Sequence, residues 1–182
     1  MENLAFDIWL SNRMDFSDED RRECFATAKE LVRIAQDVRM NGLLSIDDKI
    51  PKMEDFFMRK YMQMAVDSID PETIEKLSQT HIVANNYRGK KLLKSVLIKE
   101  GIVAITNGNN PKAIKEMLEI YFGDDLLQEF NEYFDMEDCL ENDVAAVRNK
   151  VTEVRAKHGY RGDKLSQAEI DALIIKIIKG ET

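Results

Sequence analysis

Apolar side chains recur along this chain at intervals of three and four, the spacing that lines one face of an α-helix. Leu4, Ile8 and Trp9 predict a short helix over 3–13. Phe16-Ser17-Asp18-Glu19 predicts the start of a longer one, with Ser17 as its cap and acids in its first turn. Phe25, Ala28, Leu31, Val32, Ala35 and Val38 carry that helix to about Met40, and Gly42 ends it. Ser45, with Asp48 three residues on, predicts a capping box that restarts a helix. After Pro51, the residues Met53, Phe56, Phe57, Tyr61, Met64 and Ala65 mark the inner side of a helix that ends near Asp67-Ser68. Asp70-Pro71-Glu72 opens the next, with Ile74 and Leu77 facing inward. NNYRGKK (85–91) reads as a connection, Leu93, Val96, Leu97 and Ile105 as a helix, and NGNNP as a turn. Pro111 then starts a helix with Ile114, Met117, Leu118 and Tyr121, closed by Gly123. No period-two apolar run bounded by turn residues competes, so the expected fold class is all-α.

Pro71 and Pro111 each follow a helix of similar expected length, and Ile74/Ile114 and Leu77/Met117 keep one inward phase. The pattern predicts two helix–turn–helix units; a longer solenoid would need about three repeats. From about Leu126 the character changes. DMEDCLEND (135–143) is acidic, and Leu140, Val144, Val147, Val151 and Val154 form a short coiled-coil-like seam. Ser166 with Glu169 predicts a capping box before IDALIIKIIK, a helix apolar round most of its circumference that must pack on something. The expected organisation is a compact helical domain over 1–123 and a C-terminal helical hairpin over 124–182, folded on itself or self-associating through 140–178.

Only three prolines and eight glycines fit a mostly helical chain. The formal charge of −8 argues against a nucleic-acid partner, since phosphates call for a basic face. The longest apolar runs, GIVAI and ALII, fall far short of the ~18 residues of a membrane span. The two cysteines have no metal-like spacing and no leader precedes them, which points to reduced thiols and a soluble, cytoplasmic protein. Cys24 reads as a buried inert thiol, and His81 and His158 as surface residues with no ligand partners. The cluster Arg88, Lys90, Lys91 and Lys94 reads as a solvated face, and Met53, Met58, Met62 and Met64 as core filler. No phosphate loop, nucleophile arrangement or cofactor motif stands out, and the expectation is a protein that is not an enzyme, with no cofactor and no metal.

RMNGLLSIDD (39–48) breaks a helix between an arginine and two aspartates. In one straight helix Arg39 and Asp47 would lie about 12 Å apart along the axis and about 80° apart around it. With the break, each sits where the local helix dipole suits it. The stretch resembles the cytoplasmic part of the flagellar motor stator A subunit (MotA) family, in which an arginine, a glycine, Leu-Leu-Ala/Ser-Leu and an acid follow the second membrane helix. EDFFMRKYMQMAVDSIDPETIEKL (54–77) is similar to that family's next helix and its DG-x-DP turn, with Ser68 where glycine is usual. KSVLIKEGIVAITNGNNPKAIKEMLEIYF (94–122) is similar to its cytoplasmic tail, with the EG and NP elements in place. The likeness covers roughly 16–80 and 92–122, and the membrane helices between and before those blocks are missing. It therefore implies no ion conduction. It does imply a protein partner, the flagellar rotor switch protein, met by Arg39 and Asp47. The other reading is a helical adaptor or oligomerisation module unrelated to torque.

Overall fold

A computed structural model describes residues 3–135 of the chain. Among the described residues all regular structure is helical. The seam over 140–154, the Ser166 capping box, the final apolar helix, the proposed self-association over 140–178, Cys139 and His158 lie outside the described residues. Residues 1–131 make one compact unit, described below; the second unit begins at Glu132. The first unit therefore runs past Gly123, the sequence-derived boundary: Leu126 and Phe130 are buried, and Phe130 meets Phe25 and Phe122 at centroid distances of 5.2 and 4.7 Å.

The chain forms α1 (Asn3–Ser11), α2 (Asp18–Glu23) and α3 (Phe25–Asn41), then a 3-10 segment, Leu43–Lys52. α4 (Phe56–Val66), α5 (Pro71–Ala84), α6 (Gly89–Thr106) and α7 (Pro111–Glu119) follow, with short 3-10 turns at Ile120–Phe122 and Asp124–Leu126. α6 is the centre: it packs against α2, α3, α4, α5 and α7. Its sequence explains why. Leu92, Leu93, Val96, Leu97, Ile98, Ile102 and Ile105 leave no polar face, and a helix apolar all round must be enclosed.

Close approach of α3 to α6 depends on Gly101, where an added Cβ would stand 2.8 Å from Leu31 Cδ1. The cap predicted at Ser17 forms, and Asp70 and Asn110 cap the helices that Pro71 and Pro111 begin. Ser17 accepts from Asp20 N–H at 3.1 Å and Asp70 from Thr73 N–H at 2.8 Å, while Asn110 accepts from Lys112 N–H ahead of Pro111. α4, α5 and α6 all end alike, with a residue of positive φ at Ser68 (62°), Asn86 (48°) and Gly108 (74°). In each the next N–H reaches back to a carbonyl five residues earlier, as Ile69 does to Met64 at 3.0 Å, Tyr87 to Ile82 and Asn109 to Ala104.

Several expectations differ from the structure. The helix begun at Ser17 breaks at Cys24, which is fully buried and separates α2 from α3. The helices preceding Pro71 and Pro111 are not alike in length, Phe56–Val66 against Gly89–Thr106. Phe56 and Leu77 face outward, 62% and 45% exposed. Phe57, Met58, Tyr61, Met62 and Ala65 are the buried side of α4, and Phe56 lies roughly 170° from the middle of that arc at 100° per residue. Met53, Met58 and Met62 are core, as expected, while Met64 sits at the edge of the arc.

Candidate functional site

The corner between α3 and the 3-10 segment is built by Gly42. Its φ of 83° and ψ of 162° turn the chain, and its N–H still donates to Val38 O at 2.8 Å, closing the last turn of α3. That backbone conformation favours glycine because it has no Cβ. No α-helix restarts at Ser45. Its hydroxyl donates to Gly42 O at 2.7 Å instead of accepting from the backbone, and the segment winds as a 3-10 helix with Pro51 inside it. Proline supplies no N–H for an α-helical bond to the carbonyl of Asp47, and the predicted capping box gives way to the tighter winding.

Three contacts hold the corner in place. Ile46 and Ile50, both essentially enclosed, press the 3-10 segment onto α3 and α4. Asp37, on α3, forms an ion pair with Lys49 across the bend and accepts from Asn41 Nδ2 at 2.7 Å. The bond from Lys49, then that from Asn41, hold the Asp37 carboxyl below the usual carboxylate range. Beside this pair lies a groove of about 450 Å³, floored by Ile34 and Ile46 and rimmed by Arg33, Asp37, Lys49 and Lys52.

Arg39 and Asp47 both lie on the outside of this corner, exposed to solvent. Neither has an ion pair among the described residues. Asp47 takes one long hydrogen bond, 3.4 Å from Gln63 Nε2, and Gln63 donates more closely, at 3.0 Å, to Asp67. Asp48, also exposed, adds a second carboxylate. The corner thus presents a cation and anions on a scaffold whose own charges, Asp37 and Lys49, are already paired. Such a surface can meet the charges of a partner.

The basic cluster is partly spent inside the fold. Lys90 pairs with Glu23, and Lys94 with Asp55 at 2.8 Å. Lys91 lies 4.2 Å from the centre of the Tyr87 ring. Cys24 is enclosed, and burial pushes its thiol up to about 11, so at neutral pH it stays protonated and unreactive.

Two clusters have no counterpart in the sequence reading. His81 is not a free surface residue. Its Nδ1 lies 3.0 Å from Tyr61 Oη and its Nε2 3.3 Å from Tyr87 Oη, with the Phe57 ring 5.1 Å from its own. Tyr61 O–H donates to Leu77 O at 3.0 Å, so the tyrosine oxygen accepts from Nδ1–H and Nε2 accepts from Tyr87 O–H. Desolvation first, then Lys60 and Lys91, lower the pKa of the imidazole. The second cluster surrounds Lys99, which is buried and pairs with Glu100 at 2.6 Å, with Glu75 at 4.0 Å and the Phe6 ring at 5.3 Å. Glu100 also accepts from Tyr121 O–H at 3.3 Å. The network fastens α1, α5 and the turn after α7 onto α6. A lysine set within the apolar run VLIKEGIVAI was the signal for it. Nothing local flags His81, because its partners come from α4 and from the connection after α5.

No family model matches the chain. It is 37% identical over 60 residues to Motility protein A of Borreliella burgdorferi, which covers 31% of this chain and 23% of that protein. It is 35% identical over 63 residues to the uncharacterized protein YtxD of Bacillus subtilis, covering 35% of this chain and 23% of that one. The chain spans less than a quarter of the length of these curated relatives. No solved structure matches. The relationship to Motility protein A is therefore a distant one, over about a third of the chain. Among the described residues no helix is long and apolar enough to cross a membrane.

Proposed function

We propose that this chain is a non-enzymatic, cytoplasmic helical scaffold of stator A subunit type, which docks on a component of the flagellar motor through Arg39 and Asp47. The partner of first choice is the rotor switch protein. The observation that carries the reading is the corner: two opposite charges, exposed and without an ion pair among the described residues, held on a bend that Asp37, Lys49, Ile46 and Ile50 fix. The partial likeness to Motility protein A supports the motor as the setting. The contribution proposed for the chain is contact, by which it competes with or modulates complete stator units.

The physics of such a contact sets its scale. Exposed ion pairs contribute only about 0.2–1 kcal/mol each, so docking is weak, fast and salt-sensitive, and complementary charges govern encounter more than affinity. The test is retention of the full chain by immobilised rotor switch protein at low salt. Wild type is retained and an Arg39→Glu/Asp47→Lys variant is not. Equal retention of the two proteins removes these residues from the interface.

A further inference from the structure

The corner is apolar as well as charged. Met40 and Leu44, one on each side of Gly42, are each 76% exposed, more than any other large apolar side chain among the described residues. Arg39 and Met40 are neighbours in the last turn of α3. Leu44 and Asp47 are three apart in a 3-10 helix, where residues at that spacing lie over one another and share a face. Along the chain the order is cation, apolar, bend, apolar, anion. Turned end for end, that order is its own electrostatic complement.

We propose that this corner pairs with the same corner of a second copy, as an isologous contact in which Arg39 of each chain faces Asp47 of the other around a centre of Met40 and Leu44. A two-fold interface requires a patch complementary to itself, and one cation and one anion flanking two apolar side chains meet that requirement. Among the described residues Arg39 has no ion-pair partner to give up, and Asp47 gives up only the 3.4 Å bond from Gln63. The Asp37–Lys49 pair and the enclosed Ile46 and Ile50 already fix the bend, so little backbone ordering is lost on association. Four side chains cover far less than the ~800 Å² per partner of a standard stable interface, so the pairing is weak and reversible. Its occupant is a second copy, and it hides the charges that a different partner would read. The inference uses the same residues as the motor reading but does not rest on it.

Charge-reversal variants of the full chain, followed by sedimentation velocity over a concentration series, provide the test. The formal charge of −8 repels a second copy at long range, so the measurement belongs near 0.1 M salt, where the screening length is about 10 Å and pairs in contact persist. Arg39→Glu and Asp47→Lys each abolish two symmetry-related pairs and lower the association constant by roughly 2- to 30-fold. Asp47→Lys is the sharper of the two, because it reduces net repulsion and yet weakens association. The double variant restores the wild-type constant, and an equimolar mixture of the two single variants associates more strongly than either alone. Chains that stay monomeric up to about 1 mM overturn the proposal, as does association that none of the reversals alters. Matching thermal unfolding of all four proteins shows that the fold is kept. The double variant also separates this inference from the motor reading, since it keeps self-association while losing a partner whose own charges are unchanged.

Discussion

Gly101 offers the most quantitative handle on this fold. A Cβ there would meet Leu31 Cδ1 at 2.8 Å, Cδ2 at 2.9 Å and Cγ at 3.1 Å, whereas carbon atoms pack best at about 3.5–4.0 Å. Leu31 is wholly enclosed on α3, so it can yield only by shifting other core side chains. Overpacking of this kind costs about 1–3 kcal/mol, against a gain of about 0.8–1 kcal/mol for alanine over glycine in a helix. Gly101→Ala should therefore destabilise the protein by up to about 2 kcal/mol. In a Leu31→Ala background, which alone costs about 2–5 kcal/mol, the obstruction is gone and the same substitution should stabilise by about 1 kcal/mol. Urea unfolding of the four proteins then yields a coupling energy of about 1–3 kcal/mol. A Gly101→Ala protein that gains the full helix-propensity increment in both backgrounds would refute the close approach of α3 and α6. The consequence reaches the corner, because α3 carries Arg39 at its far end and its contact with α6 sets where that end lies.

Two further outcomes follow from the backbone and the imidazole. Ser68 holds a φ of 62°, a conformation that costs a residue with a Cβ about 1–2 kcal/mol, while glycine loses part of that gain to its more flexible unfolded chain. Ser68→Gly should raise stability by about 0.5–1 kcal/mol in denaturant unfolding, and a loss of stability would mean that its side chain contributes more than its backbone costs. His81 has a folded-state pKa below the 6.5 of a free imidazole. Its contribution to stability is therefore complete above pH 6.5 and is lost as the pH falls through the folded value. Asp37, Asp55 and Asp70, whose pKa values lie below 3.8, lose theirs only in more acidic solution. Stability should decline as the pH falls below about 6.5, with a slope of at most about 1.4 kcal/mol per pH unit per proton. His81→Gln should flatten that decline, and an unchanged slope would place the titrating group elsewhere.

What the sequence disclosed was mostly local chemistry. Ser17 caps its helix as expected, Pro71 and Pro111 stand in first turns, and Gly42 and Gly123 close their elements with positive φ. A cap needs only neighbours in sequence, so it can be read there. The segment after Gly42 was misread because Ser45 and Asp48 mimic a capping box, while Pro51 further on withholds the N–H an α-helix would need. Phe56 and Leu77 were assigned inward on hydrophobicity alone, although each lies off the arc that its helix buries. Partners distant in sequence were out of reach of any local rule: His81 depends on Tyr61, and Lys99 reaches Glu75 and the Phe6 ring. Of the candidate site, the residues Arg39 and Asp47 were legible, and their exposure and lack of ion pairs among the described residues came from the structure. The apolar pair Met40 and Leu44 between them had drawn no attention, since an exposed methionine or leucine is ordinary until its neighbours are known.

The proposed contact sets opposite charges, held at one rigid bend, against the charges of a motor protein. Titration of the full chain with purified rotor switch protein, monitored by fluorescence anisotropy at about 0.01 M and about 1 M salt, tests it most directly, because screening shrinks from about 30 Å to about 3 Å across that range. Wild type should bind saturably at the lower salt, with binding lost at the higher salt and lost at both by the Arg39→Glu/Asp47→Lys variant. Binding that ignores both the salt and the reversal would contradict it.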